Sequence, residues 1–389
     1  MHLVLAALFY FAILTLWVPA YWPVSVFQVG AFTLAAGAAV RTARAPTRLP
    51  YPLLVLAFAV AWGLFQLATG RTAYGFETQN DIVQWATYLA VCFTGFALFQ
   101  DRSVRRWFLS AMLWFSFFVA VLATLQTFTA GGRVFWLFPS GYTDFVMGPI
   151  LYRNHYAAFI EAVLPIAVYR ALGRQGGPSL VYSAVAATLY ASVIASASRT
   201  GSLLATCEIL AVAGLLWVHG RTEGRAVGRA VLRMAVPLAV FTAVVGWQRV
   251  WERFLMPDPL VLRREFAISS LHMIAAHPWF GTGLGTWATV YPRYAIADFG
   301  VFANRAHSDW LQWTAEGGIP FALLLLTLFV WCLRPAFRSV WGVGVLAVFL
   351  HAGVDYPFSR PALGSWVFVL IGMLAASARK KAAEPQPGE

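Results

Sequence analysis

The stretch ANRAHSDWLQWTAEGGIP, residues 303–320, sets Arg305, His307, Asp309 and Glu316 beside an apolar run in a chain of which only 11% is charged. Histidine is the side chain best suited to general-base work near neutral pH. Its unperturbed pKa of about 6.5 leaves a neutral imidazole free to accept a proton. Asp309 could orient that ring as part of a catalytic pair. It could equally be the N-cap of the helix running through WLQWTAEGGIP, because Asp is favoured there. Residues two apart on a helix do not face each other, so spacing alone leaves both roles open.

The other groups with chemical potential are arginines. Arg199 stands in ASASRTGSL between two apolar runs, Arg153 in LYRNHYAAF just before another, and Arg263 at the head of an amphipathic stretch; Arg305 lies two residues from His307. A guanidinium stays charged and bonds phosphate oxygens in pairs, so several converging at membrane depth would suit a lipid-linked pyrophosphate. The plainer alternative for each is an anchor that snorkels to lipid head groups. Glu161, Glu316 and Asp355 lie in or beside apolar runs, where a carboxylate implies an ion pair or a cavity wall; structural pairing is the expectation for all three.

Several familiar sites are missing. The chain has no G-x-x-x-x-G-K-[ST] phosphate loop and no H-E-x-x-H zinc helix. GTGLGT, residues 281–286, lacks the third glycine of a dinucleotide fingerprint and follows no strand, so it reads as a turn. His272 and His277 are five apart, off a common helical face, and no metal site or cofactor is expected. Cys92, Cys207 and Cys332 fall inside apolar runs without metal spacing and read as small core residues.

What must position these groups is a set of membrane helices. The sequence is 60% hydrophobic and 16% aromatic, with a mean hydropathy of +0.68, too apolar to cover a soluble globule. Apolar runs long enough to cross about 30 Å of hydrocarbon recur throughout. They predict an all-α polytopic membrane protein, residues 1–389 forming one integral membrane domain. About 12 transmembrane helices are expected near 3–18, 24–40, 51–68, 82–99, 107–126, 155–170, 179–197, 201–218, 229–248, 316–333, 339–355 and 361–377. The first run lacks the basic leader and cleavage site of a signal peptide and reads as a retained span.

Most of the 28 basic residues fall in one set of short loops, at Arg41, Arg44 and Arg48; Arg102, Arg105 and Arg106; Arg170 and Arg174; Arg221, Arg225, Arg229 and Arg233; Arg334 and Arg338; and the tail at Arg379, Lys380 and Lys381. By the positive-inside rule these loops and both termini are cytoplasmic. The long connections 127–154 and 249–315 then face the periplasm, the second before the tenth helix. It carries an expected amphipathic helix over 263–276, and function is expected there, since long loops are uncommon unless functional. The net charge of +12 is scattered over loops and forms no aromatic-interleaved stripe, so membrane lipids and phosphorylated lipids are the expected partners and nucleic acid is not.

RAHSDWLQWTAEGGIP resembles the H-N-D-Y-L-Q-x-x-x-E-x-G-x-P segment of the O-antigen ligase and polymerase superfamily of bacterial inner membranes. RREFAISSLHMIAAHPWFGTGLGTW resembles that family's R-x-x-x-W…M-I…H-P-x-x-G-x-G-x-G-T-F run. RNHYAAFIEAVLP, SASRTGSL and HAGVDYPFSRPA are similar to three further blocks, all in family order between residues 153 and 362. Ala267, Thr200 and Ser308 depart from the pattern; the histidine and arginines do not. The resemblance implies a metal-independent, glycosyltransferase-C-like enzyme moving a glycan from undecaprenyl pyrophosphate to a hydroxyl at the periplasmic face. It implies His307 as base and Arg199 and Arg263 as pyrophosphate ligands. The acceptor stays open between lipid A–core, a growing glycan and a protein hydroxyl, with ligase the leading expectation and polymerase the alternative. A lipid-linked glycan transporter is the competing class, and no internal repeat of the kind such proteins show is found in the sequence.

Overall fold

A computed structural model describes residues 1–43, 48–142, 146–173, 177–219, 260–297, 300 and 302–383, with isolated positions at 228, 232, 239, 251, 252 and 255. The span expected over 229–248 lies almost wholly outside the described residues, as do Arg44, Arg174, Arg221, Arg225, Arg229 and Arg233. In chain order the helices are α1 (His2–Leu14), α2 (Trp22–Thr42), α3 (Tyr51–Ala68), α4 (Gly75–Leu98), α5 (Arg102–Thr129), α6 (Arg153–Glu161) and α7 (Leu164–Leu172). They continue with α8 (Gly177–Ala195), α9 (Arg199–Val218), α10 (Leu260–Ala276), α11 (Trp287–Val290), α12 (Asp309–Ala336), α13 (Trp341–His351) and α14 (Pro361–Ala383). Among the described residues the only sheet is a two-strand hairpin, Arg133–Val134 against Phe138–Pro139.

Eight of these helices are long and apolar enough to cross a membrane. The chain is an all-α polytopic membrane protein. Large apolar side chains stand on outward faces, such as Leu54 and Phe58 on α3 and Leu203 and Leu210 on α9, where lipid rather than water is the compatible solvent. Cys207 is exposed on the same helix as Leu203 and Leu210, so the core reading holds for Cys92 and Cys332 and fails for Cys207.

Four expected spans differ from what forms; those at 3–18 and 339–355 give helices of only 13 and 11 residues. The run at 155–170 is two nine-residue helices, α6 and α7, broken at Ala162–Val163. Pro165 is the cause: it has no N–H to give the carbonyl of Glu161, and its ring clashes with that carbonyl. The helix expected from 316 begins at Asp309 and is interrupted at Gly318 (φ 78°, ψ 173°), where Ile319 N–H leaves the helical pattern and donates to Pro278 O at 2.8 Å.

The chain packs as two compact units, each drawn from three separated stretches. The first comprises Met1–Phe27, Arg102–Pro257 and Ala336–His351; the second comprises Gln28–Asp101, Asp258–Pro335 and Ala352–Glu389. In the first, α7 packs against α8 and α9, and α13 against α9 and α6. In the second, α4 lies between α3 and α14. The connection before α12 adds a small core of its own around Phe266, Met273, Trp287, Tyr291, Ala306 and Ala315. A helix forms where an amphipathic one is expected over 263–276, as α10 starting three residues earlier, but its apolar and polar residues are not segregated to opposite faces.

Candidate functional site

In the second unit, Arg263 and Phe266 are three apart on α10 and therefore share a face. Phe266 lays its ring against His307 in a stacked pair, 5.6 Å between centroids and 14° between planes. Tyr356 meets the same imidazole edge-on at 4.9 Å and 88°, which fixes the ring from two sides. His307 itself has φ +52°. That left-handed backbone is uncommon outside glycine, and such outliers concentrate where a side chain must be aimed. Burial pushes the Tyr356 phenol above its ordinary pKa, so it stays a neutral wall.

The residues after His307 are laced to the turn before α14. Ser308 Oγ accepts from Leu311 N–H at 3.3 Å, and the backbone N–H of Asp309 donates to Asp355 O at 3.0 Å. Asp309 Oδ2 accepts from Phe358 N–H at 2.8 Å, and its Oδ1 from the Ser359 hydroxyl at 2.8 Å. Asp309 is therefore not the N-cap expected from its type; Ser308 occupies that position. Nor are its oxygens spent on His307: they tie the 357–359 turn to the start of α12. Arg263 reaches Asp355 Oδ2 at 3.5 Å and Val354 O at 3.3 Å, longer than a tight charge-assisted bond. Its side chain keeps about a fifth of its surface exposed. Arg305, half-buried, supplies the positive charge acting on Asp81, Asp309 and Glu316.

Glu316 is buried and anchors the glycine turn. Its Oε2 accepts from Gly285 N–H at 3.0 Å, and its Oε1 from Trp287 N–H and Gln312 Nε2, each at 3.0 Å. GTGLGT is the turn its sequence suggests, with positive φ at Gly281, Gly283 and Gly285 (66°, 104° and 77°). A side chain at 281 would sit 2.2 Å from Glu316 O. The partners of Glu316 are two backbone N–H groups and the Gln312 amide rather than the arginine that ion pairing would require, whereas Asp355 does pair with an arginine.

Sequence reasoning missed three residues here. Gln66, an amide buried inside α3, donates to Phe280 O at 2.6 Å and Glu316 O at 2.9 Å and accepts from Leu284 N–H at 3.1 Å. Its only signal was a polar residue in an apolar span. Glu265 accepts from Tyr291 Oη at 2.5 Å, Ser269 Oγ at 2.8 Å and Ile296 N–H at 3.1 Å. Tyr356 walls the histidine, and nothing in its spacing pointed there.

In the first unit, Arg153 and Arg199 are each the first residue of a helix, α6 and α9. Their neighbours join the two ends: Ser198 Oγ donates to Asn154 Oδ1 at 2.8 Å, and the same oxygen caps α9 by accepting from Gly201 N–H at 3.2 Å. The helices approach so closely that a Cβ at Gly201 would lie 2.3 Å from Ala157 Cβ. Two guanidiniums thus start from adjacent, positively poled helix ends. Glu161, at the far end of α6, is bonded by His351 Nδ1 at 2.8 and 3.1 Å, both side chains fully buried. Pairing was expected of it, and the partner is an imidazole.

Of the six residues expected to form the site, His307, Asp309, Arg263 and Arg305 lie in the second unit around the start of α12; Arg153 and Arg199 begin neighbouring helices in the first. Residues 184–326 match the family model described as O-antigen ligase. The match covers Arg199, Arg263, Arg305, His307, Asp309 and Glu316, and it bears out the resemblance over that stretch, a little over a third of the chain. Glycan transfer by a glycosyltransferase-like membrane enzyme is the activity that goes with the O-antigen ligase family. A comparison with curated proteins finds no match.

Proposed function

We propose that this chain transfers a glycan from undecaprenyl pyrophosphate to a hydroxyl acceptor at the periplasmic face of a bacterial inner membrane, with lipid A–core as the acceptor. The observation that carries this reading is His307: a partly exposed imidazole in a left-handed turn, held by Phe266 and Tyr356, with Arg305 two residues away and Arg263 one helical turn from Phe266.

The chemistry follows from those groups. His307 takes the proton of the acceptor hydroxyl as its oxygen attacks the anomeric carbon. The bond from that carbon to the pyrophosphate oxygen breaks, and the pyrophosphate leaves with the electron pair. Arg263 neutralises the departing charge, with Arg305 in support. Fixed guanidiniums can do this without a metal, because they are already oriented when the charge develops. Asp309 acts as a positioning residue, holding the 355–359 turn and with it Tyr356 against the imidazole.

The test is transfer by purified protein from undecaprenyl-pyrophosphate glycan to lipid A–core, with chelator present. His307→Ala should lower the rate by about 10²–10⁴-fold, the range for loss of a general base, while the protein stays folded. An undiminished rate in that variant removes the histidine from the mechanism. A strain lacking the protein should accumulate carrier-bound polymer and lose polymer from lipid A. Carrier-bound single repeat units would instead make it a polymerase, and labelled lipid crossing liposomes with no new covalent bond would make it a transporter.

A further inference from the structure

The second unit holds a cavity of about 660 Å³ that the proposed transfer chemistry does not use. It lies between the turn that joins α3 to α4 and the segment from His277 to Tyr294. This volume is in the range of small-molecule sites, about 300–1,000 Å³. Two features of its wall point to a ligand.

The first is charge. Arg71 and Arg293 both line the cavity and both are exposed. The Arg71 guanidinium lies 4.0 Å over the Phe280 ring, an arrangement that fixes its plane while using none of its hydrogen-bond donors. No carboxylate pairs with either arginine among the described residues, and none lines the cavity. His277 adds an imidazole held to Tyr294 Oη by a hydrogen bond at 3.2 Å.

The second is aromatic surface. Trp279 is two-thirds exposed beside Phe280 and Tyr294. Flat apolar rings beside cationic forks suit a ligand that offers both an apolar face and an anionic group. A pyranose has such a face in its axial C–H bonds. We infer that this cavity binds an anionic saccharide, a sugar ring carrying a phosphate or carboxylate, with Arg71 and Arg293 on the anion and Trp279 under the ring. The sugar half of this assignment rests on the glycan-transfer reading. The cavity would then hold a charged sugar of a substrate glycan away from the reacting bond.

The experiment is a binding titration of the full chain in phosphatidylcholine nanodiscs, read by ligand-detected NMR without turnover. The probes are glucose 1-phosphate, glucose and glycerol 3-phosphate. Glucose 1-phosphate should bind at least tenfold more tightly than either of the others. Its affinity should fall at least tenfold in the Arg71→Gln, Arg293→Gln double variant and in Trp279→Ala, and stay unchanged in His307→Ala. Arg71, Arg293 and Trp279 are exposed, so their variants should fold, and an unshifted melting midpoint checks this for all of them. Unaltered binding in the double variant overturns the inference. So does glycerol 3-phosphate binding as tightly as the sugar phosphate, which would mark a plain phosphate or head-group site. A protein that binds through Arg71 and Arg293 yet transfers no glycan retires the proposed function and keeps the cavity. One that transfers glycan but binds equally in the double variant does the reverse.

Discussion

The two units bury carboxylates in different company. In the first, Glu161 is bonded by an imidazole, helix to helix. In the second, Glu316, Asp309 and Glu265 each accept at least one backbone N–H, from Gly285 and Trp287, from Phe358 and from Ile296. The difference traces to the backbone. Between regular helices nearly every N–H is already used, so a buried acid has only side-chain donors to turn to; among the described residues Glu161 has one and Glu208 has none. Where the chain turns and doubles back, N–H groups are released and need acceptors. Glu316, Asp309 and Glu265 in the second unit are therefore cross-links for irregular chain; in the first, Glu161 is half of a side-chain pair and Glu208 lies buried with neither oxygen bonded.

Substitution can break this contrast at either end. Glu316→Ala should cost most, because it strands two N–H groups and an amide; at 1–3 kcal/mol per buried unsatisfied group the loss is about 3–9 kcal/mol. The loss should appear as a lower melting midpoint in detergent and faster amide exchange over 281–287. A change no larger than a surface substitution would mean the turn stands without its acid. Asp309→Ala should cost about 2–6 kcal/mol on the same reasoning, with faster exchange confined to 355–359 and a fall in transfer rate as the Tyr356 wall loosens. For Glu161 and His351, a double-mutant cycle should give a coupling of about 1–3 kcal/mol; additive effects would show that each group has its main partner elsewhere. Ser308→Ala should be smallest, about 1 kcal/mol for a lost cap, measured against Asp309→Ala to settle which residue starts α12.

What the sequence reveals follows how local the governing physics is. Apolar length alone marks the span at 51–68 to the residue, since that helix is unbroken and bounded by Pro50 and Thr69. It also places a helix near 316, because that is where the apolar shaft of α12 starts after the Gly318 break. The shorter segment from Asp309 to the break is polar enough to escape a hydropathy reading. Motif spacing finds His307, Arg263 and Arg305 because they lie close along the chain or carry a recognisable pattern. Hydropathy cannot foresee Pro165 splitting one span into two, though the proline is in plain view. Gln66 and Tyr356 stay hidden for another reason: each acts across more than 45 residues of chain, on Glu316 and His307 respectively.

The occupied glycine turn has a consequence for phosphate chemistry. Successive N–H groups around positive-φ glycines make a concavity that attracts anions, and here Glu316 is a permanent, covalently tethered occupant. A substrate phosphate would have to evict a carboxylate to lodge there. Binding of the anionic saccharide inferred above would thereby fall to side chains on the rim, which single codon changes can re-space or remove while the backbone scaffold stays intact. The turn has become a keystone, and specificity is free to drift around it.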